Sequence, residues 1–260
     1  MMGRMSGTRA RSFDIAAADY AAARPSYPAE LFDAIEELSG RGLAGARVAD
    51  VGAGTGIATE LLRDRGAEVV AVEPGSAMAF ECRRAVAEVP VVRGDGNALP
   101  LADDSQDFLT YAQSWQWTDP AVSVPEAWRV LRGSGALAIW WNTTAFDVPW
   151  LHAQHLRIAR YCGTEPRPAS RPDDAEAVRL AGLTGLRVGR RRIRWSRTVS
   201  LDTHLANIGS RSAFLVLDED RRRSALAEER GILSAAFPDG IIEETYSVDL
   251  LVGRFQGSAD

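Results

Sequence analysis

Three closely spaced glycines followed by an acid are the residues of this chain best suited to hold a nucleotide-like ligand. The glycines are Gly52, Gly54 and Gly56, and the acid is Glu73. Glycine lets the backbone approach a ligand closely and adopt a positive φ. A helix that begins at such a turn, with Thr55 near its cap, offers unpaired N–H groups to an anionic group. An acid after the next strand can accept both hydroxyls of a ribose, so this spacing predicts a ligand site.

The elements that would position these residues are a strand, a tight loop, a helix and a second strand. Apolar runs at residues 48–51 and 69–72 predict the two strands. The stretch between them is amphipathic, with Ile57 and Leu61 on its apolar face. Such a βαβ unit binds nucleotide-like ligands at the carboxyl ends of its strands, where the glycines and Glu73 would meet.

The glycine spacing separates two classes of ligand. A dinucleotide site favours G-x-G-x-x-G, but this chain has G-x-G-x-G, and Ile57 stands at the third fingerprint position. The acid Asp50 precedes the first glycine by two residues. This pattern resembles the first motif of the class I S-adenosylmethionine (SAM) dependent methyltransferases. An NAD(P)-dependent oxidoreductase shares the βαβ unit and stays open as a less favoured class.

A second segment carries the same resemblance. Residues 94–100 read GDGNALP, which is similar to the G-D-x-x-x-L-P segment of that family. A carboxylate at Asp95 can accept a hydrogen bond from the adenine amino group, and the N–H of Gly96 can donate to a ring nitrogen. The two groups together would read adenine as a complementary base does. An acidic surface turn without a ligand is the alternative.

The resemblance implies further contacts with SAM, the expected cofactor. Pro74 and Met78 lie in an acid-Pro-x-x-x-Met segment whose methionine contacts adenine, with core packing as the alternative. Gln113 follows the fourth predicted strand and is expected near the cofactor. The predicted cofactor-binding residues are Asp50, Gly52, Ala53, Gly54, Glu73, Pro74, Met78, Asp95, Gly96 and Gln113.

The amino-terminal phrase YAAARPSYP, residues 20–28, is similar to a signature of the type 11 branch that includes trans-aconitate methyltransferase-like proteins. In that branch the segment covers the cofactor pocket. The resemblance therefore implies that Tyr20 and Arg24 lie near the methionine end of SAM or near the methyl acceptor. Packing of Tyr20 and a surface position for Arg24 are the alternatives.

Three more residues are candidates for the acceptor pocket. Trp115 and Trp117 follow the fourth strand, and each would line the methyl group or pack in the core beneath the loop. Arg211 lies among predicted cap helices. The substrate-pocket candidates are thus Tyr20, Arg24, Trp115, Trp117 and Arg211. No catalytic residue is assigned, because the three histidines form no convincing triad.

The pattern along the chain predicts one α/β domain over residues 12–260, a doubly wound Rossmann-like sheet of about seven strands with a helical cap. Its last strand is antiparallel by resemblance to the class I family. An amino-terminal helical lid is expected over 12–45, the SAM-binding core over 46–142, and late strands with cap helices over 143–260. Residues 1–11 are expected to form a disordered tail.

Composition limits the partners. A net charge of −5 and a pI near 5.4 argue against general affinity for nucleic acid. The arginines of residues 187–197 favour a solvated strand face over a basic patch. No apolar run reaches the roughly 18 residues of a membrane span. Cys82 and Cys162 fit free thiols in a reducing cytoplasm, and no metal site is expected.

The predicted function is methyl transfer from SAM to a small molecule by in-line displacement, with release of S-adenosylhomocysteine. A sulfonium methyl is already electrophilic, so the protein mainly positions the reactants and excludes water. A carboxylic acid acceptor needs no base, and Arg24 would orient it, whereas a hydroxyl or amine could require one. A non-catalytic SAM-binding protein stays open, because it would share every cofactor motif. The sequence specifies neither the acceptor nor the oligomeric state.

Overall fold

The computed structural model describes residues 24–166, 174–184, 186–215 and 217–254. Tyr20, the predicted tail and the first part of the predicted lid lie outside these residues. The strands are β1 (Arg47–Val51), β2 (Glu68–Val72), β3 (Val91–Val92), β4 (Gln106–Ala112), β5 (Leu131–Thr144), β6 (Arg187–Ser200) and β7 (Ile241–Arg254). The helices are α1 (Ala29–Ser39), α2 (Ile57–Asp64), α3 (Ser76–Ala85), α4 (Pro120–Val130), α5 (Pro149–Cys162), α6 (Asp174–Leu180), α7 (Leu201–Gly209), α8 (Ser212–Leu215) and α9 (Glu219–Ala236).

The strands form one sheet in the order β3-β2-β1-β4-β5-β7-β6. β1 pairs in parallel with β2 and with β4, and β4 pairs in parallel with β5. The last strand, β7, is antiparallel and inserts between β5 and β6. The predicted doubly wound sheet is therefore confirmed. The strand order reverses between β1 and β4, and in open α/β sheets ligands bind beyond the carboxyl ends of the strands at such a point.

The chain divides into two compact units. We call the first the sheet unit; it comprises the described residues of 26–142, 172–193 and 248–260. We call the second the helical unit; it comprises the described residues up to 25 and those of 143–171 and 194–247. The division into lid, core and cap made from the sequence stays a prediction.

The sheet unit has a continuous apolar core. Its central strands are buried on both faces, as expected for parallel strands that are covered by helices on each side. Leu109 and Tyr111 of β4 and Leu137 and Ile139 of β5 are fully buried. Helix α1 belongs to the same unit, where Phe32 packs edge-on against Trp140. Helix α1, which lies within the predicted lid, is thus packed into the core of the sheet unit.

The helical unit has its own apolar cluster. Ile158 of α5, Ile208 of α7, Phe214 of α8 and Leu233 of α9 are buried together with Ile242 of β7. Side chains on one face of each helix therefore meet one face of a strand. Within the described residues, no helix combines the length and the hydropathy needed to cross a membrane.

Helix α4 starts earlier than the sequence predicts. The spacing of Ser123 and Glu126 predicts a capping box, but the helix begins at Pro120, and the carboxylate of Asp119 accepts the N–H of Ala121. Proline suits a first helical position because the N–H that it lacks would be unpaired there. Glu126 is consequently in the middle of the helix, and its role is described below.

Candidate functional site

The loop after β1 is shaped by glycine backbone geometry. Gly52, Gly54 and Gly56 have φ values of 70°, 60° and 94°, which side chains disfavour. A Cβ atom on Gly52 would lie 2.4 Å from Cβ of Ser114. The hydroxyl of Ser114 in turn donates to the carbonyl of Val51 over 2.5 Å. The loops after β1 and β4 are therefore in contact at the point where the strand order reverses, a role of Ser114 that was not predicted from the sequence.

Glu73 lies beside the glycine loop, directly after β2. Its side chain is 7% exposed. One carboxylate oxygen accepts the N–H of Gly54 over 2.8 Å, and the other accepts the N–H of Gly75 over 2.7 Å. These two bonds orient the carboxylate of Glu73 against the glycine loop.

Asp50 lies beneath the loop. It is fully buried, and its carboxylate accepts hydroxyl groups of Thr59 at 2.6 Å and Thr110 at 3.1 Å. Burial raises the pKa of Asp50 to about 6, although the bonds from Thr59 and Thr110 act in the opposite direction. Asp50 thus ties β1 to α2 and β4. The sequence placed Asp50 in the motif but did not identify the two threonines.

The segment predicted to read adenine forms a compact turn. Asp95 is exposed, and its Oδ1 accepts both the backbone N–H and the amide N–H of Asn97, at 2.7 and 2.9 Å. The hydroxyl of Tyr111 donates to the carbonyl of Gly96 over 3.4 Å. A Cβ on Gly96 would lie 2.9 Å from the Thr118 side chain. The turn therefore needs glycine at position 96.

The remaining predicted cofactor residues differ in exposure. Pro74 is exposed, and its carbonyl accepts a guanidinium N–H of Arg93. Met78 is 5% exposed on α3. Gln113 is half-buried with φ 57°, and its N–H donates to the Trp140 carbonyl over 2.9 Å. Positive φ at a residue other than glycine is uncommon and clusters at functional sites. The backbone of Gln113 therefore marks the end of β4 as a candidate site.

The two tryptophans after β4 are placed differently. Trp115 is 3% exposed, its indole N–H donates to the Ala181 carbonyl over 2.9 Å, and it packs edge-on against Tyr111. This placement favours the core interpretation of Trp115, which supports the loop from below. Trp117 is half-buried in the same short 3-10 turn, Trp115–Trp117.

Two substrate-pocket candidates meet in the helical unit. A guanidinium N–H of Arg24 donates to the Ser210 carbonyl over 3.1 Å, one residue before Arg211. A guanidinium N–H of Arg197 donates to the Arg24 carbonyl over 3.2 Å. Burial and Glu244 raise the pKa of Tyr246, whereas the positive charges of Arg211 and Arg197 oppose this rise. Arg197 and Arg211 therefore lie near Tyr246, and Arg24 is hydrogen-bonded to Arg197 and to the residue before Arg211.

This unit also contains a buried polar network that was not predicted from the sequence. Glu244 accepts hydrogen bonds from four side chains: Arg197 and His204 at 2.6 Å, Tyr246 at 2.7 Å and Asn207 at 3.1 Å. Burial would raise the pKa of Glu244, but the bonds from His204 and Tyr246 and the charge of Arg197 lower it to about 2. The alternation of the final strand was the available signal, because Glu244 has the same parity as its buried residues.

A second acid extends the network. Glu229 is fully buried, forms a two-bond ion pair with Arg157 at 2.6 and 3.0 Å, and accepts an amide N–H of Gln154 at 3.1 Å. Gln154 also lies 3.0 Å from the Nε2 atom of His204. The chain of contacts thus joins helices α5, α7 and α9 to β7 through polar groups.

The comparisons with known proteins agree with this geometry. The chain matches the methyltransferase domain family of type 11 over residues 49–139. An uncharacterized methyltransferase of Mycobacterium bovis is 41% identical over 140 residues, which are 54% of this chain and 56% of the relative. The matched stretch therefore spans little more than half the length of that curated relative.

Solved structures share the fold. A type II methyltransferase structure from Anaeromyxobacter dehalogenans is 23% identical, covers 89% of this chain and 97% of its own, and has a TM-score of 0.64. A SAM-dependent methyltransferase of Geobacter sulfurreducens, solved with S-adenosyl-L-homocysteine, is 18% identical, covers 94% and 98%, and has a TM-score of 0.54. At 23% and 18% identity, the similarity to these structures supports the fold alone.

Residues 49–139 match a methyltransferase domain, which agrees with the predicted class of SAM-dependent methyltransferases. SAM is the cofactor of this class. The residues present fit it, because a Cβ on Gly54 would meet no atom of the described residues within 4 Å and Glu73 accepts the N–H of Gly54. The trans-aconitate-like branch stays a prediction.

Proposed function

We propose that this chain transfers the methyl group of SAM to a small-molecule acceptor. When bound, SAM supplies a methyl carbon on a sulfonium sulfur; the acceptor's lone pair bonds that carbon, and the carbon–sulfur electron pair stays with sulfur as S-adenosylhomocysteine forms. The observation that carries the proposal is the carboxylate of Glu73, fixed by the N–H groups of Gly54 and Gly75 at the reversal of the strand order.

The chain's residues have separate proposed roles in holding the cofactor. Glu73 accepts the ribose hydroxyls, and the glycine loop admits the ligand to the backbone. Asp95 and Gly96 bind the adenine edge, while Asp50 fixes the loop from beneath. The further contacts proposed are Ala53, Pro74, Met78 and Gln113.

We infer that the acceptor is a carboxylic acid. The charges of Arg197 and Arg211 act on Tyr246, and Arg24 is hydrogen-bonded to Arg197 and to Ser210, the residue before Arg211. Guanidinium groups bind carboxylates in a fork geometry. Methylation of a carboxylate produces a neutral ester and releases no proton, so this acceptor requires no general base. Arg24 and Arg211 would hold and orient the acid.

We place the reaction in the reducing cytoplasm, with no role for nucleic acid or a membrane. The two cysteines are free, and Cys82 is buried. Burial, the largest cause, together with the nearby charge of Asp50 raises the pKa of its thiol to about 12. A thiol so protected is not a reactive nucleophile, so Cys82 has a structural role.

Thermal unfolding with added ligand tests the cofactor assignment. S-adenosylhomocysteine, SAM and NADH are each added in excess to the purified protein. A ligand at about a hundred times its dissociation constant stabilises the folded state by roughly 2.7 kcal/mol, which raises the midpoint by several degrees. We expect a shift with the two SAM-type ligands and none with NADH. A shift with NADH alone would overturn the proposal.

Product formation tests transfer and the acceptor class. Carboxylic acids, trans-aconitate among them, are compared with their amides as acceptors, and S-adenosylhomocysteine is measured. We expect turnover with at least one acid, and a KM at least tenfold higher after Arg211→Gln. Arg160→Gln, an exposed arginine of the same unit, is the control. Binding of SAM without turnover of any acceptor would favour the non-catalytic alternative.

A further inference from the structure

The turn that carries Asp95 and Gly96 continues into a segment held by an ion pair on α4, whose arginine, Arg129, also pairs with Asp103 of that segment. Glu126 and Arg129 are one helical turn apart, and Arg129 donates from Nε and Nη2 to the two carboxylate oxygens, at 2.9 and 2.7 Å. The hydrogen bonds from Arg129, opposed by partial burial, lower the pKa of Glu126. The pair is therefore a charged, two-bond fork of fixed geometry.

Both members of this pair also hold the backbone of the turn. Glu126 accepts the N–H of Leu99 over 2.7 Å. Arg129 donates to the carbonyl of Leu99 over 3.1 Å and to that of Leu101 over 2.9 Å. Three backbone groups that follow the Asp95–Gly96 turn are thus fixed by one ion pair.

The start of α4 holds the other side of the same turn. The side-chain oxygen of Asn97 accepts the backbone N–H of Asp119 over 2.7 Å. The backbone N–H and the side-chain amide of Asn97 both donate to the Asp95 carboxylate. Asp119 caps α4. The amino end of α4 therefore holds Asn97 and, through it, the carboxylate of Asp95, whereas Glu126 and Arg129 farther along the helix hold the backbone that follows the turn.

We propose that Glu126 and Arg129 are positioning residues that set the selectivity of the cofactor site for adenine. Through the backbone at Leu99 and Leu101 they fix the distance between the Asp95 carboxylate and the Gly96 N–H. This inference rests on the proposed contacts of Asp95 and Gly96 with the base. Neither Glu126 nor Arg129 touches the ligand.

The inosine analogue of the cofactor product supplies the relevant comparison. It has a carbonyl oxygen where adenine has an amino group, and an N–H at the adjacent ring position where adenine has an acceptor. A carboxylate and an N–H donor that are rigidly spaced would be mismatched with both groups. A turn that can shift would relieve the mismatch, so loss of the ion pair lowers discrimination more than it lowers affinity for adenine.

Isothermal titration calorimetry measures the dissociation constants of S-adenosylhomocysteine and S-inosylhomocysteine with the whole chain. The variants are Arg129→Gln, Glu126→Gln and Arg129→Lys. The matched control is Arg222→Gln, which removes an ion pair of the same i,i+3 spacing on α9. We expect the ratio of the two constants to fall by about tenfold in Arg129→Gln, equivalent to about 1.4 kcal/mol, and to be unchanged in Arg222→Gln. Arg129→Lys keeps the positive charge but cannot form the two-bond contact, so we expect its ratio to lie between those of the unchanged protein and Arg129→Gln.

Two results would overturn the inference. Equal weakening of both ligands in folded variants would mean that the pair contributes only to stability. No binding of S-adenosylhomocysteine by the unchanged protein would overturn the cofactor contacts as well. If circular dichroism shows that Arg129→Gln does not fold, the near-isosteric Glu126→Gln decides the matter by the same ratio.

Discussion

Gly52 and Gly54 share a left-handed backbone but differ in their surroundings. Their φ values are 70° and 60°. A Cβ on Gly52 would overlap Ser114 at 2.4 Å, whereas a Cβ on Gly54 would meet no atom within 4 Å in the part of the chain that the structure describes. The same substitution at the two positions therefore separates the cost of backbone conformation from the cost of steric overlap.

We expect Gly52→Ala to be more destabilising than Gly54→Ala. A left-handed conformation costs an alanine about 1–2 kcal/mol, which applies to both variants. Overlap with Ser114 adds about 1–3 kcal/mol at position 52. Urea unfolding of the two variants measures the difference. Equal losses would show that the loop after β4 moves aside at no cost.

Asp50 gives a pH dependence with a defined sign. Its pKa is about 6 in the folded protein against an ordinary 3.8. Between these values the folded state binds a proton that the unfolded state has released, so stability falls as pH rises through this window. At 1.36 kcal/mol per unit, the full effect is about 3 kcal/mol.

The substitution Asp50→Asn removes this contribution and keeps the shape of the side chain. We expect the free energy of unfolding of the variant, relative to the unchanged protein, to decrease by about 3 kcal/mol between pH 7 and pH 3.5. Urea titrations at a series of pH values measure it. Parallel curves for the two proteins would contradict the assignment of the shift to Asp50.

Strand β7 carries a charged group on its buried face. Glu244 lies between the buried residues Ile242 and Tyr246, while its neighbour Glu243 is on the exposed face and bonds to Ser196. The buried acid is stable in this position because His204, Asn207, Tyr246 and Arg197 all donate to it. A strand of this kind depends on the helices that supply those donors.

We expect Glu244→Gln to cost about 3–5 kcal/mol at pH 7, because it leaves the charge of Arg197 without its buried partner. The pKa of Glu244 is lowered from 4.5 to about 2, so its contribution is present above pH 4.5 and lost as pH falls toward 2. The gap between variant and unchanged protein should therefore narrow in that range. Urea unfolding at a series of pH values measures this difference in free energy of unfolding, and Glu243→Gln is the control. A difference that does not change with pH would contradict the prediction.

Five of the six arginines of β6 are paired with acids. Arg190 and Arg192 bind Asp249 at 3.3 and 2.7 Å, and Arg191 binds Glu37 at 2.9 Å. Arg194 is paired with Asp147, and Arg197 with Glu244. These ion pairs neutralise the row of positive charge that the sequence presents, in a molecule whose net charge is −5.

We expect the molecule to bind duplex DNA negligibly at physiological salt. Affinity for the phosphate backbone comes from lysine and arginine side chains that neutralise phosphates and release counterions from the DNA. Arginines that are already paired with acids contribute little to this affinity. Fluorescence anisotropy with a labelled duplex at about 0.15 M salt measures this, and the same titration at lower salt is the control. Binding that persists at the higher salt would show that the pairs open to phosphate.

Much of the fold could be predicted from the sequence, and candidate site residues could be proposed, because the signals for both are local. The glycine spacing after β1, the acid after β2 and the apolar runs of the parallel strands lie within short stretches, where backbone geometry and periodicity act directly. The predicted start of α4 was wrong because two capping patterns overlap in that stretch of sequence. Asp119 with Pro120 forms the cap, while Glu126 is occupied by Leu99 and Arg129.

The sequence by itself determined the class of fold, the cofactor and the position of the βαβ unit. Only the tertiary structure decided which side chains meet: Thr110 with Asp50, Ser114 with Val51, and Arg24 with Ser210, at separations of 60, 63 and 186 residues. It also decided that Trp115 packs in the core and that Glu244 accepts four donors. Contacts between distant residues depend on the order of the strands and on the helices that cover them, and no short stretch of sequence encodes either.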